Sequence, residues 1–348
     1  MRFPIVAGVS VALILTVIMV WKSGWDIPPV DAAQLGYRGT GMDLVQDREA
    51  VAALKAANVV PESLVATDTT GTKVKDLPDV YQNVKVLGDL TEDQFNTLMA
   101  NITAWVAPQE GDNAGCAYCH NVENMADDGL YTKVVARRMI EMTRTINSQW
   151  KTHVAATGVT CYTCHRGQPV PTQVWFKETG PHQMGGSLGF RNGQNVVAKN
   201  AGNSSLPYDN LSSYLLGDKN IRVHTLTALP TGNKATIMDT ESTYGLMMYM
   251  SEALGVNCTF CHNSRAFNDW DQSPPQRVTA WHGIRMSRAL NTDYMEPLTA
   301  TFPAHRLGKS GDVAKVGCAT CHKGVNKPLY GASMMTNYLT ELGGATPQ

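Results

Sequence analysis

The sequence predicts a mainly α-helical chain with long loops, built as two similar modules in tandem behind one N-terminal membrane helix. Three observations predict it. A Cys-x-x-Cys-His string occurs four times and accounts for all eight cysteines, the strings alternate between two types, and a charge-free apolar run opens the chain.

The strings are Cys116-Ala-Tyr-Cys119-His120, Cys161-Tyr-Thr-Cys164-His165, Cys258-Thr-Phe-Cys261-His262 and Cys318-Ala-Thr-Cys321-His322. Their spacing matches covalent c-type haem attachment. Two thiols three positions apart each add to a vinyl group on one haem edge, and the adjoining histidine reaches the iron as proximal ligand. An isolated Cys-x-x-Cys also serves zinc knuckles, redox dithiols and disulfide frameworks. Here histidine follows in every string and no cysteine remains over. The chain is therefore read as a multihaem cytochrome c with four covalently bound c-type haems: Cys116, Cys119, Cys161, Cys164, Cys258, Cys261, Cys318 and Cys321 form the thioethers, and His120, His165, His262 and His322 are the proximal ligands. A formal charge of −1 without basic runs leaves no electrostatic footprint for a phosphate backbone, so no nucleic acid is expected as partner. Only 43% of the residues are hydrophobic, and four apolar macrocycles would supply much of the core.

From Ile5 to Trp21 seventeen residues carry no charge between Arg2 and Lys22, at the lower edge of what spans a bilayer. A cleavable signal peptide, with Val30-Asp31-Ala32 as its cleavage site, is the competing reading. A retained single-span anchor over residues 1–25 is expected, with Trp21 and Trp25 at the membrane interface. Either reading exports the haem-bearing part of the chain. Residues 26–90 are expected to form an extended segment.

Residues 91–170 form the first two-haem module. Thr91-x-x-Gln94 is a capping box, and Phe95, Leu98, Met99, Ile102 and Val106 recur at helical spacing before Pro108. A second helix is expected over about 131–153. Residues 171–235 connect the modules, with a Gly-, Asn-, Ser- and Pro-rich stretch over 167–220 that shows no sustained periodicity. The second two-haem module takes 236–330, with helices over about 240–254, stopped by Gly255, and 275–291; residues 331–348 are a tail. The modules repeat in detail. Cys116–Asn121 resembles Cys258–Asn263, Cys161–Gly167 resembles Cys318–Gly324, and Met142-Thr-Arg144-Thr-Ile-Asn147 matches Met286-Ser-Arg288-Ala-Leu-Asn291 upstream of the second string of each module.

A methionine thioether as sixth iron ligand raises a haem's potential, and a second histidine usually lowers it. Helical methionines are core filler by default, yet the first three helices each place one where it can cover the haem that follows: Met99, then Met139 or Met142, then Met247 or Met248. Aligning Met142 with Met286 puts Gly283 opposite Met139. If Met139 is the ligand in the first module, its counterpart cannot be one and the fourth haem needs another ligand, for which His153, His282 and His305 compete. Arg137, Arg138, Arg277, Arg285 and Arg288 are candidate partners for haem propionates, with solvated arginine as the alternative for each. Asp127 and Asp128 read as solvated loop acids rather than as a steering patch for a basic donor.

Over residues 36–330 the chain resembles the tetrahaem cytochrome c subunit of photosynthetic reaction centres. NVKVLGDLTEDQF, TKVVARRMIEMTR, GVTCYTCHRGQP, TYGLMMYM, LGVNCTFCHN and QRVTAWHGIRM carry the resemblance. Many family members have a lipidated N-terminal cysteine, which this chain lacks, and the segment Gln109–Gly115 is longer than the usual form. The resemblance implies Met99, Met139 and Met247 as sixth ligands of haems one to three and His153 for haem four. It implies an electron carrier rather than an enzyme, in the inner photosynthetic membrane with its haem domain on the periplasmic side. Its partners would be the reaction-centre L, M and H subunits with their bacteriochlorophyll special pair, and a soluble cytochrome c or high-potential iron-sulfur protein as donor. Contact of the anchor with light-harvesting antenna polypeptides is a further expectation. Two rivals are a tetrahaem quinol dehydrogenase, typically much shorter and without the methionine-bearing helices, and a multihaem reductase, which needs an iron with an open position.

Overall fold

The computed structural model describes residues 3–22, 30–37, 39–178, 207, 209–224 and 235–344, with the side chains of Gly8 and residues 10–21 included in its first helix. This helix, α1, spans Phe3–Lys22. Its described side chains, Leu13, Ile14, Val17 and Trp21 among them, are all exposed. Among the described residues no helix is long and apolar enough to cross a membrane, so the fold by itself does not establish the expected span. Trp25, expected at the membrane interface, lies outside the described residues.

The segment expected to be extended is partly regular. Strands β1 (Val30–Leu35) and β2 (Met42–Asp47) pair antiparallel, with Val30 opposite Asp47 and Leu35 opposite Met42. Helix α2 (Arg48–Ala57) follows, capped by the Asp47 carboxylate, which accepts from the Ala50 N–H at 2.9 Å. No residue of α2 is buried, so the apolar periodicity that marks a core helix is weak here.

Helix α3 (Glu92–Val106) starts at the expected capping box: Thr91 Oγ1 accepts from the Gln94 N–H, and Gln94 Oε1 accepts from the Thr91 N–H. It has two apolar faces. Leu98 and Trp105 are buried in protein, while Phe95, Met99, Ile102 and Val106 line a cavity. The second helix is shorter than expected. Helix α4 (Tyr131–Gln149) ends where Trp150 leaves helical geometry, and His153 sits on a separate turn, α5 (Lys151–Val154). The second string is itself a short helix, α6 (Cys161–His165). After α7 (Ser212–Leu215), α8 (Ile237–Leu254) begins at a Thr236–Asp239 capping box, ahead of the expected Thr240, and stops at Gly255 in the left-handed conformation. Helix α9 (Gln276–Leu290), α10 (Cys318–His322) and α11 (Leu339–Leu342) complete the order. The first and third strings form 3-10 turns instead, Gly115–Tyr118 and Cys258–Phe260.

The repeated Arg-x-x-Asn sequence explains how the halves fit together. Asn147 Oδ1 accepts from the Val159 N–H at 2.8 Å, while its Nδ2 donates to the Val159 carbonyl at 2.9 Å and the Leu342 carbonyl at 2.8 Å. Asn291 does the same to Val316, at 2.7 and 2.8 Å, and reaches the Leu215 carbonyl at 3.0 Å. The arginines three positions earlier match as well: Arg144 Nε donates to the Glu341 carbonyl and Arg288 Nε to the Tyr214 carbonyl. Each asparagine thus pins the residue two before a string, Cys161 or Cys318. The helical turns it grips are exchanged: α7 follows the first module yet binds the second, and α11 follows the second yet binds the first. The tail is core, with Tyr338 and Leu342 fully buried.

Replacing Asn147 by Ala strands the buried Val159 N–H and two carbonyls, a loss of about 2–4 kcal/mol, and Asn291→Ala is equivalent. Urea titrations of the two variants, followed by far-UV circular dichroism, are expected to show matching reductions of the unfolding midpoint.

Candidate haem-binding site

A cavity of roughly 1440 Å³ runs through the molecule, larger than the 300–1,000 Å³ or so of an ordinary ligand pocket. Its walls hold the cysteines and histidines of the first, second and fourth strings together with Met99, Met139 and His153. Met142 is on the same wall, so the geometry leaves both methionines of α4 within reach of that space. The hydrophobic core is divided around it into three clusters, centred on Leu98 and Trp105, on Leu246 and Tyr249, and on Ile146 and Leu290. Helix α3 packs on α6, α8 on α10, and α6 on α10, so the second and fourth strings meet at the centre.

The histidines of the strings are held in one tautomer. His165 Nδ1 lies 2.8 Å from the Gln168 carbonyl, His262 Nδ1 2.8 Å from the Phe267 carbonyl, and His322 Nδ1 3.0 Å from the Val325 carbonyl. A carbonyl only accepts, so each Nδ1 carries the hydrogen and each Nε2 keeps its lone pair for a metal. His120 Nδ1 is turned toward the Met125 carbonyl without a completed hydrogen bond. Burial holds all four imidazoles below their ordinary pKa, His322 down to about 4, with the neighbouring His153 adding to the shift. Burial also pushes the thiols of Cys119, Cys161 and Cys261 up to about 11 and Cys318 to about 12.

His153 sets its Nδ1 2.9 Å from the Thr279 carbonyl, and its ring centre is 6.0 Å from that of His322. With metal–imidazole bonds of about 2.0–2.1 Å, two rings sharing one ion stand roughly 6 Å apart. Gly283 makes this possible, since a Cβ there would meet His153 Cε1 at 2.6 Å and Nδ1 at 3.0 Å. The competing histidines are elsewhere: His282 packs edge-on against Trp281, and His305 is exposed at the cavity rim.

Cys164 and Cys321 are joined as a disulfide with Cα atoms 4.4 Å apart, a pairing that the sequence reading did not include. It marks how closely the second and fourth strings approach. Met247 is half-buried against the Leu246–Tyr249 cluster rather than on the large cavity. The third string is gripped by the N-terminal hairpin: buried Thr259 accepts from the Met42 N–H at 2.8 Å and donates to the Leu35 carbonyl at 2.7 Å, and Asn257 Nδ2 donates to the Met42 carbonyl. Gly36, at φ +97°, fits against Thr259 where a Cβ would come within 2.6 Å of its carbonyl.

Of the five arginines proposed for propionates, Arg137 alone lines the cavity. Arg138 pairs with Glu141 and covers Tyr294, Arg277 covers Trp270, Arg285 covers Trp281, and Arg288 is spent on the Tyr214 carbonyl. Asp128 is not a solvated loop acid. It binds Arg137 at 2.9 Å, Lys85 at 3.0 Å and Lys133 at 3.2 Å, which hold its carboxyl well below the usual range.

The residues present fit a macrocycle with an iron centre: paired thiols, oriented imidazoles and an apolar void too large for the side chains around it. A family profile described as "Photosynthetic reaction centre cytochrome C subunit" matches residues 26–341. The chain is 53% identical over 317 residues to the photosynthetic reaction center cytochrome c subunit of Rubrivivax gelatinosus, covering 91% of this chain and 84% of that one. It is 48% identical to the subunit of the same name from Thermochromatium tepidum (93% and 78% covered) and 41% identical to that of Roseobacter denitrificans (88% and 84%). A membrane-associated electron carrier with covalently bound haem follows from that likeness and from the strings together. The chain belongs to the photosynthetic reaction centre cytochrome c subunit family.

Proposed function

We propose that the protein holds four c-type haems as a periplasmic electron wire, from a soluble cytochrome c or high-potential iron-sulfur protein to the photo-oxidised special pair on the L and M subunits. The observation that carries this is a void shared by three of the strings, with α3, α6, α10 and α8 packed in series. When bound, each haem supplies a one-electron Fe(III)/Fe(II) couple, and the chain's own part is to space, orient and tune. His120, His165, His262 and His322 would each hold one iron, with Met99, Met139, Met247 and His153, in that order, as the second protein donor. The packing series α3–α6–α10–α8 supports a spatial order of first, second, fourth, third string.

The third string is favoured as the membrane end. The hairpin that grips it follows α1 after only residues 23–29, which reach about 25 Å at most when extended. Helix α1 carries the charge-free run from Ile5 to Trp21, seventeen residues at the lower edge of what spans a bilayer. It serves as a single N-terminal span that places the remainder on the periplasmic side, beside the L, M and H subunits and within reach of antenna polypeptides. All eight cysteines are assigned to thioethers. A thiol held in a disulfide cannot add to a vinyl group, so Cys164 and Cys321 must be reduced before attachment.

Flash photolysis of native membranes is expected to show haem oxidation in step with recovery of the special-pair signal. Absence of any light-induced haem signal would refute the assignment. Intact mass and tryptic mapping of the purified subunit are expected to give four haem additions and no peptide linking Cys164 to Cys321. For His153, Gly283→Ala should expel the imidazole and convert one haem from a low-spin bis-histidine signal to a high-spin one in electron paramagnetic resonance; an unaltered spectrum would remove His153 from the ligand set.

A further inference from the structure

At the first string the chain builds a charge cluster that the haem-attachment sequence does not require. Lys133, on the first turn of α4, is buried at 7% exposure. Its Nζ is enclosed by the Met125 carbonyl at 2.8 Å, the Asp127 carbonyl at 2.7 Å and the Asp128 carboxylate at 3.2 Å. The neighbouring Thr132 donates to the Tyr118 carbonyl inside the string itself. One turn on, Arg137 is 14% exposed and divides its guanidinium between Asp128 and the Asn83 carbonyl. Lys85 closes the ring from the opposite loop. Asn83, at φ +61°, turns its amide to Asp128 as well, at 2.9 Å. Asn83, Lys85, Lys133, Arg137 and His120 share the cavity wall.

Three cations around one carboxylate leave an excess of two positive charges. Asp128 gathers side chains that would otherwise repel one another, with Lys133 and Arg137 enclosed and Lys85 at the surface. Burial of Lys133 and Arg137, in contrast to the exposed Lys85, limits screening by water and salt, so their field extends into the cavity.

We propose that the Lys85–Lys133–Arg137 cluster, assembled on Asp128, is the electrostatic device that raises the reduction potential of the haem on the first string. Reduction lowers the charge of the site by one electron, so a fixed positive charge nearby favours the reduced form and a fixed negative charge opposes it. The inference rests on the haem-wire reading above.

The test is a set of redox titrations of the full-length subunit in native membranes, followed in the haem absorbance band. Met99→His first identifies the component that belongs to the first string. Lys133→Gln is expected to shift that component downward and Asp128→Asn to shift it upward, each by about tenfold in the reduction equilibrium, or about 59 mV for a one-electron couple, with the other components unmoved. Loss of packing alone would move both variants in the same direction. Shifts of the same sign, no shift, or a shift confined to another component would overturn the proposal. Lys85→Gln, at an exposed position, gives a smaller downward shift and supplies the sign if Lys133→Gln fails to fold. If Met99→His moves no component, the ligand reading fails, and Lys133→Gln and Asp128→Asn still test the cluster, since opposite shifts of one shared component sustain it and anything else sinks it.

Discussion

A buried amide that holds one peptide unit from both sides fixes the start of the second and fourth strings. Asn147 and Asn291 each offer one acceptor and two donors, and each uses all of them on backbone groups that would otherwise be unpaired in the interior. No apolar residue can do this, and a charged one would bring a desolvation cost of its own. The geometry of Cys161 and Cys318 is therefore set by the scaffold two residues upstream. Because the turns gripped by the asparagines are exchanged between modules, neither half completes its own interior. Residues 214–215 are needed by the second module and residues 341–342 by the first, so the chain folds as one body despite its duplicated sequence.

The electrostatics of the interior follow from burial. It raises the pKa of the Cys161 and Cys318 thiols and lowers that of the His322 imidazole, which favours the neutral form of each. That is the arrangement of a structural ligand set; a nucleophilic cysteine sits instead where charge lowers its pKa. The apolar residues do not gather into one core. They form three patches around a common void, and helices α3 and α4 leave many side chains half-buried because the second surface they serve is the cavity wall.

The helices and strings were legible in the sequence because their signals are local: a Thr91–Gln94 box, a Gly255 stop, a Cys-x-x-Cys-His spacing. The duplicated Arg-x-x-Asn sequence was visible too, but its purpose was not, since both partners of each asparagine are remote in sequence. What escaped was held by such remote contacts. The hairpin β1–β2 owes its place to Thr259 and Asn257, more than two hundred residues away, and the tail read only as a tail because docking on α3, α4 and the Leu64 carbonyl orders it. The break at Trp150 follows from no proline or glycine. Asp128, in a loop run of Asp-Asp-Gly, carries the composition of solvent-facing turns, and nothing local announces Lys85 and Arg137 as its partners.

The break in symmetry at Gly283 ties the two modules together chemically. The repeat places a methionine, Met139, at this position on α4 and no side chain on α9. The space so opened is filled from the other module by His153, which is possible because α4 ends at Gln149 and α5 turns the histidine toward α9. One missing side chain thus leaves room for an imidazole beside the fourth string, where the repeat has a methionine on α4. Soft sulfur favours ferrous iron and a second imidazole favours ferric, so a duplicated scaffold yields unequal sites without a different fold. The substitution also runs across the module boundary, where His153 and His322 face each other at 6.0 Å. The contact between His153 and His322 is thereby shared between the halves, one ring supplied by each.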